Sequence, residues 1–109
     1  MSRMKGVFLM IKILLCCASG MSTSLLVEKM KRAASKQNIE AEIWAVNAES
    51  ADLKNEKADL ILLGPQVRYA KDEIQNTVGD TPVHMIGMKD YGMMNGESVL
   101  AQALEYLGK

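Results

Sequence analysis

A cysteine followed by a run of small residues is the part of the sequence best suited to chemistry. Residues 16–24 read Cys-Cys-Ala-Ser-Gly-Met-Ser-Thr-Ser, and such small residues let the backbone turn tightly before a helix. Amide N–H groups that converge at a helix N-terminus bind anions, because the helix dipole favours negative charge there. A cysteine at such a point is a candidate nucleophile, since helix N-termini favour thiolates. The segment therefore predicts a nucleophilic thiol beside a cradle of phosphate size.

The two adjacent cysteines have different interpretations. Cysteine is often simply a small buried apolar residue, and this description suits Cys16, which continues the apolar run before it. Cys17 comes where the predicted strand turns, so we interpret it as the reactive residue. Adjacent cysteines cannot join distant parts of a fold, and a disulfide between neighbours is strained. A reducing, cytoplasmic setting is therefore expected.

The spacing after Cys17 argues against rapid phosphate hydrolysis. Cysteine phosphatases use the loop C-x5-R, but here the arginine position is Thr23, and the first basic residue after Cys17 is Lys29. A phosphatase needs the guanidinium to hold phosphate and to neutralise charge in the transition state. The loop is thus suited to hold a phosphocysteine without helping water to attack it. A small cysteine phosphatase or an arsenate-reductase-like enzyme is the alternative, and a non-catalytic regulatory module is a third possibility.

Composition and missing motifs exclude several other classes of function. The 109 residues suit one domain, with residues 1–10 as an N-terminal lead and 11–109 as the domain itself. The 13 basic and 13 acidic residues balance to zero net charge, which argues against a nucleic-acid surface. Neither a nucleotide P-loop nor a C-x-x-C motif occurs. Since the single histidine, His84, lies in a predicted strand, we expect no metal site and no cofactor.

Short apolar runs alternate with amphipathic stretches along the chain. Strands are predicted at residues 12–16, 41–46, 60–63 and 83–86. Helices are predicted at residues 23–36, with Ser22 or Thr23 as N-cap and Asn38 near the C-cap, and at 67–78. A short helical turn is predicted at 49–55, and residues 88–94 are predicted to form a loop. Asn95 is predicted to cap the last helix.

Strands that alternate with helices predict an α/β fold with a parallel sheet. We expect a doubly wound four-stranded parallel sheet of order 2-1-3-4, with helices on both faces. In this order strands 1 and 3 are neighbours whose connections leave to opposite sides, and ligands bind at such switch points. The Cys17 loop follows strand 1, and Gly64-Pro65-Gln66 follows strand 3. Both loops are therefore expected at one crevice.

Two segments carry a resemblance to a known family. Residues 14–27, LLCCASGMSTSLLV, and residues 58–67, ADLILLGPQV, resemble the enzyme IIB proteins of the bacterial phosphoenolpyruvate:sugar phosphotransferase system, lactose/cellobiose/chitobiose class. The resemblance runs from about Ile11 to the C-terminus and implies the doubly wound fold already expected. It also implies a phosphoryl carrier. In that scheme a histidine-phosphorylated IIA protein donates to a cysteine of IIB, and the membrane permease IIC passes the group to an incoming sugar.

The resemblance also implies roles for individual residues and partners. By motif position Cys17 matches the phosphorylated cysteine, while the extra Cys16 and the long lead depart from the family pattern. The implied phosphoryl-binding loop comprises Ala18, Ser19, Gly20, Met21, Ser22 and Thr23, and the neighbouring loop comprises Gly64, Pro65, Gln66 and Tyr69. The implied partners are IIA, IIC and a β-disaccharide such as cellobiose, chitobiose or lactose. A cytoplasmic monomer that meets the inner face of the membrane through IIC is expected.

One surface around Cys17 is expected to serve both protein partners, because a single thiol must receive the group and give it away. Met21 and the edge formed by residues 66–69 are the candidates for this surface. A mobile methionine can pack against two different partners, and a few buried side chains supply most of the energy of an interface.

Overall fold

A computed structural model of the chain describes residues 10–17, 20–48, 53 and 56–108, with the side chains of residues 20–22 left undescribed. The predicted lead before residue 10 and most of the predicted turn at 49–55 lie outside these ranges. The strands are β1 (Ile11–Cys17), β2 (Ala41–Asn47), β3 (Leu60–Leu63) and β4 (Val83–Met85). The α-helices are α1 (Gly20–Lys36), α2 (Lys71–Val78), α3 (Met88–Gly92) and α4 (Gly96–Tyr106), and a 3₁₀ segment covers Pro65–Ala70.

The four strands form one parallel sheet in the order β2-β1-β3-β4, which confirms the predicted topology. The two central strands pair with Cys16 opposite Leu63, and the outer pairing places Cys17 opposite Asn47. All four residues of β3 are buried. That burial explains its continuous apolar run, because a central parallel strand is covered on both faces.

Alternate residues of β1 supply two separate hydrophobic cores. Successive side chains of a strand point to opposite faces of the sheet. Ile13, Leu15 and Cys17 therefore pack in the core that is shared with α1 and α4. Leu14 and Cys16 pack in the other core, with the 3₁₀ segment and α2. Helices on both faces confirm the doubly wound arrangement, and the neighbouring cysteines lie on opposite sides of the sheet.

Helix α1 begins earlier than the sequence predicts and ends where expected. It starts at Gly20, so the prediction of Ser22 or Thr23 as N-cap is wrong, because both residues lie inside the first turn. At the other end Asn38 adopts a left-handed φ of 57°. The N–H of Ile39 donates to the carbonyl of Ala34 at 2.8 Å, as is typical of a helix closed by a left-handed residue.

The predicted helix at 67–78 is two segments joined at a bend. The 3₁₀ segment begins at Pro65 and contains one non-helical residue, Val67, with φ −116° and ψ 21°. Val67 is completely buried, so packing against the sheet overrides the helical geometry there. Regular α-helix then begins at Lys71.

The predicted loop at 88–94 is wrong in part, because residues Met88–Gly92 form helix α3. Asn95 caps α4 as predicted, its Oδ1 accepting from the N–H of Ser98 at 3.1 Å. At the next residue, Gly96, an added Cβ would lie 2.5 Å from the backbone carbon of Lys29. Helix α4 therefore lies against α1 at a distance that only glycine permits. Within the described part of the chain, every helix is too short or too polar to cross a membrane.

Candidate functional site

Cys17 lies at the carboxyl end of β1, at the switch point of the sheet. The predicted strand end is short by one residue, since Cys17 itself still pairs with β2. Its carbonyl accepts from the N–H of Ala48 at 3.0 Å, and the carbonyl of Cys16 accepts from the N–H of Gly64 at 2.9 Å. The chain segments after β1 and β3 therefore meet at one crevice, as the topology predicts.

The Cys17 thiol packs directly on the backbone of Gly64. A Cβ placed on Gly64 would lie 2.6 Å from the Cys17 sulfur and 2.8 Å from Oε1 of Gln66. Glycine is favoured here because a Cβ would force these two side-chain atoms to move. Its φ of −66° is ordinary for any residue. The Gln66 side chain is thereby a neighbour of the thiol. Of the predicted neighbouring loop, Gly64 and Gln66 are thus placed beside Cys17.

The Cys17 side chain is almost completely covered, with 1% of its surface exposed. A phosphorus atom can approach a sulfur atom at this depth only after the groups that cover it move. The sequence predicts a nucleophilic thiol beside a cradle of phosphate size, whereas the Cys17 side chain is buried at the end of the sheet. The predicted loop residues Ala18 and Ser19, and the side chains of Gly20, Met21 and Ser22, lie outside the described residues.

Cys16 lies on the opposite side of the sheet from Cys17. It is completely buried in the core beneath α2. Burial raises the pKa of the Cys16 thiol to about 12, and the nearby Cys17 and Glu56 add to the rise. A thiol held protonated in this way is a poor nucleophile. These observations support the interpretation of Cys16 as a core residue.

Thr23 is the predicted loop residue whose side chain the structure describes. It lies in the first turn of α1, is completely buried, and its Oγ1 is 3.3 Å from the hydroxyl of Tyr91 in α3. Tyr91 is not predicted as a site residue from the sequence, because the apolar pattern of residues 88–94 covers only one turn of a helix. The spacing of Met88 and Tyr91, three residues apart, is the signal that could have indicated that turn.

A cleft of about 490 Å³ adjoins the crevice between the 3₁₀ segment and α3. Tyr69 and Met88 are its most exposed apolar side chains, 73% and 71% exposed. The residues that line it are Pro65, Gln66, Arg68, Tyr69, Met88, Tyr91 and Gly92. The structure therefore brings Pro65, Gln66 and Tyr69 together at one exposed and partly apolar surface.

His84 and Asp59 lie in structural contacts. The His84 ring stacks on Tyr106 at a centroid distance of 3.8 Å. Burial lowers the pKa of His84, and Lys71 adds to the effect. Asp59 accepts a hydrogen bond from the N–H of Lys12 at 2.9 Å, so it supports the start of the sheet. In the part of the chain that the structure describes, no cluster of His, Cys, Asp or Glu is arranged to hold a metal ion.

Comparisons with known proteins agree on one family. Residues 12–102 match the family model described as "PTS system, Lactose/Cellobiose specific IIB subunit". The oligo-beta-mannoside-specific EIIB component of Bacillus subtilis is 47% identical over 88% of this chain and 95% of its own. The galactose-specific EIIB component of Lactococcus lactis subsp. cremoris is 45% identical over 84% of this chain and 91% of its own. The solution structure of the cellobiose-specific IIB component from Borrelia burgdorferi has a TM-score of 0.69 at 37% identity, covering 87% of this chain and 89% of that one.

The contact between Cys17 and Gly64 can be tested by adding one methyl group. Gly64→Ala forces the thiol and the Gln66 side chain to move, so we expect a loss of about 1–3 kcal/mol in the free energy of unfolding. Gly87→Ala is the matched control, because Gly87 also precedes a helical segment with extended backbone and its added Cβ would meet nothing closer than 3.9 Å. Urea denaturation measures both variants. Equal stabilities would contradict the contact.

The buried Cys16 thiol should make stability depend on pH in the alkaline range. Its pKa is raised from 9.0 to about 12, so the folded state holds a proton that the unfolded state releases. The contribution is complete below about pH 9 and is lost as pH rises towards 12. We therefore expect the stability difference between wild type and Cys16→Ala to shrink over this range in urea denaturation. A difference that stays constant with pH would contradict the shift.

Proposed function

The chain belongs to the lactose/cellobiose-specific IIB family of the phosphotransferase system, and from this premise we propose that it carries a phosphoryl group on Cys17 during sugar uptake. IIB components are phosphotransferases, so the class of reaction follows from the family. The observation that supports Cys17 as the carrier is its place at the switch point, with its sulfur against Gly64. Cys16 is the poorer candidate, because it faces the opposite core with a raised pKa.

The transfer takes place in two displacements at phosphorus. The Cys17 thiolate attacks the phosphoryl group of a phosphohistidine on IIA, so an S–P bond forms while the N–P bond breaks and its electron pair returns to the imidazole. The thiol loses one proton when it ionises, and the imidazole nitrogen takes up one proton when the phosphoryl group leaves it. A sugar hydroxyl then attacks the phosphocysteine. An O–P bond forms, the S–P bond breaks, the thiolate is restored and the hydroxyl proton is released.

Backbone N–H groups at the start of α1 would hold the phosphoryl oxygens. We assign this role to the segment from Ala18 to Thr23, whose last four residues form the first turn of a 17-residue helix, because the N-terminus of a helix favours negative charge. The segment carries no guanidinium or ammonium group. Charge is therefore neutralised less than in a phosphatase loop, which favours transfer between partners over hydrolysis.

IIA and IIC would dock in turn on the surface that contains the cleft. Tyr69 and Met88 stand out from it, 73% and 71% exposed, and exposed apolar side chains of this kind supply most of the energy of a transient contact. Met21 remains a candidate for the same surface. IIA would meet the protein in the cytoplasm, and IIC would hold it at the inner face of the membrane during transfer to sugar.

The sugar is proposed as a class only. Relatives of similar identity carry oligo-beta-mannoside, galactose and cellobiose in their names, so similarity does not separate these sugars. We propose a β-linked oligosaccharide, with cellobiose, chitobiose and lactose as the sugars to test first. The sugar hydroxyl reaches Cys17 only at the moment of transfer.

The direct test of the proposal is phosphorylation of the purified chain by a phosphorylated IIA protein of the family. Cys17→Ser should abolish the label, because a serine hydroxyl is a far weaker nucleophile, while Cys16→Ser should largely keep it. Mass spectrometry locates the modification. Label that persists in Cys17→Ser and is lost in Cys16→Ser would overturn the assignment. Turnover of p-nitrophenyl phosphate by the wild type would favour the phosphatase alternative.

The docking surface makes a separate prediction. Tyr69→Asp should slow phosphoryl transfer from IIA by about tenfold, ~1.4 kcal/mol of barrier, because a charge replaces an apolar contact. The melting temperature should stay unchanged, since the side chain is 73% exposed. Met93→Asp is the control, because Met93 is also exposed but lines a different groove, beside α1 and the start of α4. Equal transfer rates for the two variants would remove Tyr69 from the interface.

A further inference from the structure

A pair of buried hydroxyl groups lies between the first turn of α1 and helix α3. The Thr23 side chain is completely buried and Tyr91 is 7% exposed, and their oxygens are 3.3 Å apart. Each hydroxyl can donate one hydrogen bond and can also accept hydrogen bonds through its oxygen. One of the two protons lies between the two oxygens, so the other one points away from the pair.

That second proton requires an acceptor. A buried hydroxyl that donates to nothing loses the hydrogen bond it had with water, which costs free energy. Within the part of the chain that the structure describes, Thr23 and Tyr91 have each other as side-chain partners. Thr23 also ends the segment that would hold the phosphoryl group. A phosphoryl oxygen on Cys17 is therefore a suitable acceptor for a proton directed away from Tyr91.

Tyr91 is held in place from a different part of the fold. Its neighbour Asp90 accepts hydrogen bonds from Ser98 Oγ at 3.0 Å and from Gln102 Nε2 at 2.8 Å. These bonds tie α3 to α4, which itself packs closely on α1. The hydroxyl of Tyr91 is thus fixed by helices that do not belong to the loop after Cys17. Such independent support is what a residue needs in order to position another one.

We propose that Tyr91 is a positioning residue for phosphoryl transfer. Its hydroxyl donates to Oγ1 of Thr23, and this orients the Thr23 hydroxyl to donate to a phosphoryl oxygen bound at Cys17. No proton is transferred, because both groups act only as hydrogen-bond donors. The inference rests on the proposed function of the chain as a phosphocysteine carrier.

Tyr91 also lines the cleft where the partners would dock. The residue whose hydroxyl lies beside Thr23 is therefore also part of the cleft lining. Tyr91 therefore links the docking surface with Thr23, the last residue of the phosphoryl-binding segment. A substitution that removes only the hydroxyl separates its positioning role from any contact that the ring makes.

The test compares Tyr91→Phe with Tyr106→Phe, a matched variant whose ring stacks on His84. The measurements are the rate of transfer from phosphorylated IIA, the phosphorus NMR shift of the phosphocysteine, and the melting temperature. Tyr91→Phe should slow transfer by about threefold to tenfold, the effect of one hydrogen bond, and should move the phosphorus resonance. Tyr106→Phe should leave both at the wild-type values. The resonance reports on the phosphoryl group itself, so it remains informative even if Tyr91→Phe lowers the melting temperature.

A double variant tests whether Tyr91 acts through Thr23. Tyr91→Phe added to Thr23→Val should cause no further loss, because the hydroxyl that it orients is already absent. When Tyr91→Phe is added to Thr23→Ser, which keeps a hydroxyl, it should still slow transfer. If Tyr91→Phe keeps the wild-type transfer rate and phosphorus resonance, the inference alone is overturned. The same holds if the double variant with Thr23→Val loses as much transfer rate as the two single variants together. A wild type that forms no phosphocysteine would overturn the proposed function as well.

Discussion

The close approach of Cys17 to Gly64 is the contact on which the arrangement of the site depends. It follows from the pairing of β1 with β3, in which the N–H of Gly64 donates to the carbonyl of Cys16. Because the two strands are parallel neighbours, their carboxyl ends lie at one edge of the sheet. The segments that follow them leave towards different helices, so a gap opens there and the thiol fills it. A Cβ on residue 64 would lie 2.6 Å from the sulfur, which would have to move.

The alternation of β1 places two identical side chains in different cores. Cys16 faces the core beneath α2, where burial raises its pKa to about 12. Cys17 faces the core beneath α1 and is the last residue of the strand that pairs with β2. A shift of one residue in the register would exchange these roles. The apolar residues at 13, 14 and 15 hold the register, because each is completely buried on its own face.

The sequence predicts the features of this fold that depend on strong local patterns. Four apolar runs predict the four strands. Because strands alternate with helices along the chain, few topologies are possible. Asn95 and Asn38 could be predicted at helix ends because each acts through nearby backbone. Asn95 accepts from the N–H of Ser98, and Asn38 adopts a left-handed φ. Features that depend on tertiary contacts were missed. Helix α3 is only five residues long and carries too little pattern to be distinguished from a loop. Its role follows from Tyr91 and Asp90, which contact residues far away in sequence.

The burial of Cys17 bears on the difference between a carrier and a hydrolase. A phosphorylated thiol that is open to water loses its group to the solvent, whereas a carrier must keep it until a partner arrives. Because Cys17 is only 1% exposed, its sulfur is shielded from water as well as from phosphorus, so in the proposed carrier access to it would be coupled to docking. A partner that contacts the cleft lies against Tyr91, which in turn contacts Thr23 in the first turn of α1. In the proposed carrier, the same contacts would therefore recognise the partner and prepare the thiol for transfer.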